Sequence, residues 1–318
     1  MGELLAISAL VMFSSNIILT KVASARMSVN LGFLVSVTVN VLFASLLVAA
    51  QLALRQAPLR LDISALLLFF IAGFFSTYLG RWFLYDSVVK IGPSRASTFQ
   101  TSNPAFTALI AWFFLGERLA PMDTVAMVAI LVGLYLTSRR PPERGFEATV
   151  EPLAQDTIQD QPQGLVKPRR PSALLDPGVL LAIGGAMAYA VSNILRGLAI
   201  EDWNEPLVGA LAGALAGLVS YVALGSGVRI FLRSVGGLDR KGLYLYALSG
   251  VLTICAQACM IAAMRYLPVT IATVITLSTP ILVIPAGYFL LKNRERITLW
   301  TVLGSAAVLM GVGTILLM

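Results

Sequence analysis

The sequence predicts an all-α membrane protein with ten transmembrane helices. Of its 318 residues, 58% are hydrophobic and 12% are charged, whereas soluble proteins carry about 25% charged residues. One soluble core of this size cannot bury so many apolar side chains. The apolar residues form continuous runs without strand-like alternation, which indicates helices rather than a membrane barrel. This composition excludes a soluble enzyme, a disordered regulator and a nucleic-acid-binding protein.

Ten apolar stretches are long enough to be membrane spans, since crossing the bilayer hydrocarbon takes about 20 residues. They lie at about residues 3–21, 30–52, 63–88, 95–115, 121–138, 177–199, 206–226, 242–264, 268–291 and 297–317. The first stretch, Leu4 to Thr20, lacks the basic start and the small-residue cleavage site of a signal peptide. We therefore expect it to be the first span.

One connection differs from the others, because residues 139–176 are polar and rich in proline. Such a segment cannot bury enough apolar surface to fold alone. We expect a mobile linker, with a regulatory docking segment as the alternative. The linker separates residues 1–138 from residues 177–318, and each of these units holds five predicted spans.

The two units repeat a series of short motifs in the same order. The matched motifs are Ser15-Asn16-Ile17 with Ser192-Asn193-Ile194, Glu117-Arg118-Leu119 with Glu295-Arg296-Ile297, and Gly133 with Gly311. Because each unit holds an odd number of spans, the second unit must be inverted relative to the first. The prediction is thus two inverted five-helix repeats, an architecture typical of transporters that expose a midplane site to each side in turn.

The motifs of the first unit resemble those of a known domain. They are Gly92-Pro93-Ser94-Arg95-Ala96, Asn103-Pro104, Leu115-Gly116-Glu117-Arg118-Leu119 and Gly133. This series resembles the EamA domain of the drug/metabolite transporter superfamily. Residues 268–317 resemble a second copy with Lys292-Asn293 inserted before its glutamate. The resemblance implies a ten-helix transporter whose central cavity is lined by spans 1, 3, 4, 6, 8 and 9, with spans 5 and 10 at the periphery.

Polar side chains at membrane depth are costly and usually face the protein interior, so they are the candidates for a substrate cavity. Helical spacing gives Phe74, Tyr78, Arg81 and Tyr85 a common face. The predicted cavity residues are Ser15, Asn16, Tyr78, Arg81, Tyr85, Gln100, Thr101, Tyr189, Asn193, Arg196, Gln257, Thr273 and Thr276. For the hydroxyl groups, hydrogen bonds back to their own helix or to a neighbouring helix are the alternative.

Arg81 and a lack of acidic residues set the expected solute chemistry. Arg81 can face a substrate anion, or it can reach the lipid headgroups or pair with Asp86. No Asp or Glu lies in the central third of a predicted span, and the chain has no histidine. The small multidrug members of the superfamily use a membrane carboxylate to exchange protons for cationic drugs. We therefore expect a neutral, zwitterionic or anionic solute such as an amino acid, moved by export or exchange.

Prolines and glutamates at matched positions suggest structural roles. Pro104 and Pro280 lie within the fourth and ninth predicted spans. They are predicted to kink these helices and act as hinges, with a kink tolerated for packing as the alternative. Glu117 and Glu295 lie at span ends, where we expect them to pair with loops or helix ends.

Small residues in the seventh and eighth spans complete the candidate set. Gly209, Gly213 and Gly217 are predicted to allow close helix packing, within a monomer rather than at a homodimer interface. Cys255 and Cys259 lie four residues apart on one helix face, and a metal site would need more ligands nearby. We therefore expect no metal, no cofactor and no catalytic residues, since an intramembrane enzyme needs positioned acids, bases or metal ligands.

The expected partners are the lipid bilayer of the cell membrane and a small solute, with no nucleic acid. Basic residues are concentrated in the connections on the side opposite the two termini. The positive-inside rule places the termini outside the cell, whereas the resemblance implies cytoplasmic termini. The sequence leaves both the orientation and the choice between monomer and homodimer open.

Overall fold

The structure is a computed structural model that describes residues 1–55, 58–91, 102–118, 120–138, 177–224, 239–279, 281–283, 286 and 299–316. Within these ranges the regular structure is helical, without strands. The elements are α1 (Gly2–Ser24), α2 (Val29–Leu54), α3 (Ile63–Gly73), a π-helical segment (Phe74–Leu79), α4 (Gly80–Ile91), α5 (Asn103–Phe114), α6 (Pro121–Ser138), α7 (Pro177–Asp202), α8 (Pro206–Leu224), α9 (Arg240–Ala263), α10 (Val269–Leu277) and α11 (Leu299–Leu316).

The helices fall where the apolar stretches predicted them. Among the described residues, six helices are long and apolar enough to cross a membrane. Five of them are α1, α2, α7, α8 and α9. The sixth, called the third rod below, is continuous from Ile63 to Leu84 and consists of α3, the π-helical segment and the start of α4. Shorter apolar helices, including α5 and α10, follow the remaining predicted spans. The chain is therefore a multi-pass membrane protein.

A π-helical segment interrupts the third rod. Its last turn closes with the backbone N–H of Gly80 donating to the carbonyl of Phe75, five residues earlier. A π turn holds more residues than an α turn, so it rotates every later side chain relative to an unbroken α-helix. The common face predicted for Tyr78 and Arg81 from α-helical spacing is offset for this reason. Tyr78 stacks on Phe74, with ring centroids 5.8 Å apart.

Glycines bring α8 close to the third rod, as the sequence predicted for the seventh span. The contacts run in the same order along both helices, which are therefore parallel. They join Gly209 to Phe69, Gly213 to Gly73 and Gly217 to Thr77. A Cβ atom on Gly209 would lie 2.7 Å from the Phe69 ring. All three glycines thus face a neighbouring helix of the same chain.

The same pattern of contacts recurs between α2 and α9. Gly32 of α2 packs against Tyr246 of α9, and Gly250 of α9 packs against Ser36 of α2. Each of these residues is 177 positions from its counterpart at the α8 seam. The same interval separates the first serine-asparagine motif from the second. The two seams are therefore equivalent in position and direction.

Helix capping follows the same repeat. Asp62 caps α3, with Oδ1 accepting from the backbone N–H of Ala65 at 3.0 Å. Asp239 caps α9 through the backbone N–H groups of Lys241 at 3.2 Å and Gly242 at 3.3 Å. An aspartate at this position satisfies N–H groups that the first turn cannot pair internally. Hydrogen bonds to Ser64 and Ala65 hold the pKa of Asp62 below its usual value.

The helices α6 and α11 pack chiefly against each other. A Cβ atom on Gly133 would lie 2.5 Å from the carbonyl oxygen of Gly304, and one on Gly311 would lie 2.7 Å from that of Ala126. The partner number falls as the residue number rises, so the helices are antiparallel. Each contact also has its counterpart 178 positions away. The contact between α6 and α11 is therefore self-complementary.

Two further pairs of helices from the two halves are antiparallel, unlike the parallel glycine seams. Gly2 near the start of α1 packs against Leu267, whereas Thr20 near its end lies 3.3 Å from Ser249 of α9. The third rod and α7 are arranged in the same way, because Ala72 contacts Ser192 while Phe83 contacts Gly184. These contacts fix the direction of α1 relative to α9 and of the third rod relative to α7.

The seam between α8 and the third rod gives a matched pair of substitutions. Gly73→Ala should lower the free energy of unfolding by about 1–3 kcal/mol, because its Cβ overlaps the backbone of Gly213. Gly213→Ala should be neutral or stabilising, because its Cβ lies 3.7 Å from the nearest atom and alanine favours helices. Thermal unfolding in detergent measures both. Equal melting temperatures for the two variants would contradict the packing described here.

Candidate substrate site

Arg196 of α7 is a charged side chain buried inside the bundle, with 6% of its surface exposed. Its Nη2 donates to Oγ of Ser76 at 3.0 Å. Ser76 belongs to the π-helical segment, near the middle of the third rod. Helical side chains lean toward the N-terminus, so the guanidinium reaches from its position about 9 Å inside the end of α7 toward the middle of the bundle.

Neutral polar groups surround the Arg196 guanidinium. The carbonyl of Ala72 accepts hydrogen bonds from Ser76 Oγ at 3.0 Å and from Ser192 Oγ at 2.8 Å. Tyr189 lies seven residues before Arg196, on the same face of α7. The Tyr189 ring also packs on Gly80, where a Cβ would lie 2.9 Å from Cε2. The π-helical segment and these small residues together make a polar seam between the third rod and α7.

The charge of Arg196 has no acidic partner in the part of the chain that the structure describes. A buried charge without an opposite charge costs several kcal/mol. A guanidinium carries five N–H donors, and one hydrogen bond to Ser76 uses few of them. The site is therefore electrostatically suited to an anionic group.

Arg81 occupies a different environment, near the far end of the third rod. Its Cζ lies 3.8 Å from the centre of the Phe33 ring of α2, which is a cation–π contact. The Phe33 ring meets Tyr221 edge-on, with centroids 5.0 Å apart. The predicted alternative of pairing with Asp86 is wrong, because these two described side chains form no ion pair; Asp86 accepts instead from Lys90 Nζ at 2.8 Å. The cation–π contact with Phe33 therefore stabilises the positive charge of Arg81.

A second, uncharged polar cluster lies between α1, α2 and α9. Asn16 Oδ1 accepts from Ser249 Oγ at 2.5 Å. The Ser249 hydroxyl also lies 3.3 Å from Thr20 Oγ1 and 3.4 Å from Ser36 Oγ. In the repeat, α1 corresponds to α7 and α9 to the third rod, so this seam between α1 and α9 is the counterpart of the seam that contains Arg196. The counterpart of Asn16 is Asn193, which is 5% exposed.

The other predicted cavity hydroxyls are mostly used within their own helices. Ser15 Oγ donates to the carbonyl of Val11 at 2.8 Å, and Thr276 Oγ1 donates to that of Ala272 at 2.7 Å. Thr273 is fully buried, and its hydroxyl has no hydrogen-bond partner among the described residues. Gln257 on α9 is partly buried.

Several predicted residues fall elsewhere. Gln100, Thr101 and Pro280 lie outside the described residues, as does the side chain of Tyr85. Pro104 lies in the first turn of α5 rather than within a longer helix, so it does not kink the described helix. The missing N–H of proline costs nothing in that turn. Within the described part of the chain, no group of three or more His, Cys, Asp or Glu side chains could hold a metal ion.

Glu117 joins the two halves at the end of the bundle that holds the N-terminus. Its carboxylate accepts hydrogen bonds from the backbone N–H of Val269 at 2.5 Å and of Thr270 at 3.3 Å, and from Thr270 Oγ1 at 2.8 Å. These groups form the first turn of α10. The predicted pairing of Glu117 with a helix end is therefore confirmed.

Glu205 makes a second junction at the same end. It precedes α8 and is 4% exposed. Arg55, at the end of α2, contributes Nη1 at 2.5 Å from Oε1, and Gln51 Nε2 donates to Oε2 at 2.9 Å. Trp203 Nε1 also donates to the carbonyl of Arg60 at 2.9 Å. The loop between α7 and α8 is thus bonded to side chains and to a backbone carbonyl of the first half.

Comparison with known proteins agrees with this architecture. The sequence profile of the EamA-like transporter family matches residues 1–139 and 176–317. The chain therefore belongs to the EamA-like transporter family, and it is a membrane transporter built from two family repeats.

Solved structures give the same fold. Among them, 28 chains match. One, described only as "Crystal structure of protein", superposes with a TM-score of 0.67 and 16% sequence identity over 99% of this chain and 96% of the other. At this identity the likeness shows the fold alone. No curated protein sequence matches the chain significantly.

The junction at Glu117 can be tested by removing its acceptor. Glu117→Ala should lower the free energy of unfolding by about 1–2 kcal/mol, because the first turn of α10 loses its cap. Thr270→Val should have a smaller effect, since the backbone N–H bonds remain. Thermal unfolding in detergent measures both, with Glu3→Ala, which removes a partly exposed glutamate, as the control. A melting temperature for Glu117→Ala equal to that of Glu3→Ala would contradict the capping role.

Proposed function

We propose that this transporter carries a small solute with an anionic group, either a zwitterion such as an amino acid or an organic anion, and that Arg196 binds that group. The observation that carries the proposal is the burial of the Arg196 guanidinium, with a serine hydroxyl as its hydrogen-bond acceptor. A solute anion would supply the missing opposite charge. The guanidinium fork also suits a carboxylate, which it can bind through two parallel hydrogen bonds.

The neighbouring polar groups fit the rest of such a solute. Tyr189 and Asn193 lie on the same face of α7 as Arg196, and their side chains can donate or accept hydrogen bonds. Across the bundle, Asn16 and Ser249 offer neutral polar atoms. Arg81 adds a second positive charge within the bundle, in contact with Phe33 of α2, and positive charge disfavours organic cations. The remaining predicted cavity residues, Ser15, Tyr78, Tyr85, Gln100, Thr101, Gln257, Thr273 and Thr276, belong to the proposal as candidate lining.

For the mechanism, we infer ten spans in two inverted five-helix repeats that alternate access to this site. Three kinds of contact support the inversion: the repeated parallel glycine seams, the antiparallel pairing of α1 with α9 and of the third rod with α7, and the self-complementary contact between α6 and α11. Pro104 and Pro280 remain candidate hinges. The repeats would comprise residues 1–138 and 177–318, with 139–176 as the linker. Export or exchange across the cell membrane is the proposed direction.

Substitution of Arg196 tests the proposed site. The protein is reconstituted into liposomes, and counterflow of a mixture of radiolabelled amino acids and dicarboxylic acids is measured. Arg196→Gln should reduce transport about 10- to 100-fold, since a hydrogen bond to a charged group contributes about 1.5–3 kcal/mol. Arg196→Lys should retain part of the activity, because the charge remains while the fork is lost.

Two further variants complete this test. The exposed Arg60→Gln serves as the control and should transport like the unmodified protein. Arg81→Gln should reduce transport less than Arg196→Gln, because the Arg81 charge is already stabilised by its cation–π contact with the Phe33 ring. Folding of each variant is checked by its melting temperature. Transport by a folded Arg196→Gln variant within twofold of the unmodified protein would refute the proposed role.

A further inference from the structure

A crevice of about 570 Å³, separate from the Arg196 seam, lies between α5, α6 and the first turn of α10. Along α5 its wall is apolar and includes Ala108, Leu109 and Trp112. At one end its lining becomes polar, with Glu117, Arg118, Thr124 and Thr270. The crevice is thus apolar along its length, and at its polar end it carries Arg118 beside the hydrogen-bonded carboxylate of Glu117.

The apolar wall faces the surrounding membrane. Leu109 is 64% exposed and Trp112 is 65% exposed, although both belong to an apolar helix of a membrane protein. Large apolar side chains on the outer surface of such a helix contact hydrocarbon rather than water. A molecule that enters this crevice from the side is therefore a lipid rather than a water-soluble solute.

The polar end carries a cation that is available to a ligand. Arg118 lies four residues beyond the end of α5 and is exposed. No described residue makes a hydrogen bond or an ion pair with its side chain. The adjacent carboxylate of Glu117 is already occupied by Val269 and Thr270. Arginine and tryptophan near a helix end are typical of the level of the lipid headgroups.

We propose that an anionic phospholipid occupies this crevice, with its phosphate at Arg118 and one acyl chain along Ala108, Leu109 and Trp112. The pattern of one charged end and a long apolar wall matches the two parts of such a molecule. Thr270 lines the crevice and also donates to Glu117. A bound lipid therefore lies beside the junction that holds α10 to α5, and it stabilises that junction.

The test measures lipid binding on the full chain, so its outcome is independent of the proposed role of Arg196. Purified protein in detergent is mixed with phosphatidylglycerol or phosphatidylcholine, and its melting temperature and the lipid retained in native mass spectrometry are recorded. Phosphatidylglycerol should raise the melting temperature by several degrees and remain bound, whereas phosphatidylcholine should do neither. Arg118→Gln should abolish most of this shift, and Arg60→Gln, an exposed arginine at the same end, should preserve it.

A second variant fills the crevice while retaining the charge. Ala108→Trp should also abolish the retention of phosphatidylglycerol, and Arg118→Gln decides the question if that variant does not fold. The proposal is overturned if phosphatidylcholine binds equally well or if Arg118→Gln retains phosphatidylglycerol. It is also overturned if soluble glycerol phosphate stabilises the protein as much as the lipid does, since the site would then bind the phosphate alone.

Discussion

The burial of the Arg196 guanidinium between two membrane-spanning rods is the constraint on which the rest of the structure depends. A charge at this depth needs polar neighbours, because neither lipid nor an apolar side chain can solvate it. The third rod and α7 approach closely where small residues meet, with a Cβ on Gly185 lying 3.3 Å from the carbonyl oxygen of Gly80. This close approach brings Ser76 within hydrogen-bond distance of Arg196.

The repeat explains why the bundle has two seams of similar geometry and different chemistry. Asn16 and Asn193 occupy equivalent positions, but the counterpart of Arg196 is Leu19, and the counterpart of Ser249 is Ala72. One seam therefore carries a positive charge, whereas the other carries a neutral cluster of hydroxyl and amide groups. Duplicated halves supply the symmetry of the packing, and substitutions at single positions supply an asymmetric interior.

The helices could be predicted well from the sequence, because bilayer thickness fixes the length of an apolar run. The repeat could also be read from short motifs whose interval varies by only a few residues. Both features depend on residue type and spacing along the chain, which the sequence states directly. The predicted packing of Gly209, Gly213 and Gly217 against another helix of the same chain agrees with the structure for the same reason.

Contacts between distant segments could not be predicted in the same way. The π-helical segment at Phe74–Leu79 has no distinct sequence signal, and it changes which side chains share a face with Arg81. The role of Ser76 was missed, although a serine and a threonine in the middle of an otherwise apolar stretch were a signal for it. The partner of Arg81 was missed because Phe33 lies on another helix, far away in the sequence.

The inverted relation of the two halves is the claim from which the transport mechanism follows, and cysteine labelling tests it most directly. Ser64 and Lys241 are exposed, lie 177 positions apart, and occupy equivalent places at the starts of α3 and α9. Cys255 and Cys259 are first replaced by serine. Ser64 and Lys241 are then replaced by cysteine one at a time, and intact cells that express each variant are treated with a membrane-impermeant maleimide. If the halves are inverted, one position reacts at once and the other only after permeabilisation. Reaction of both positions from the same side of the membrane would contradict it.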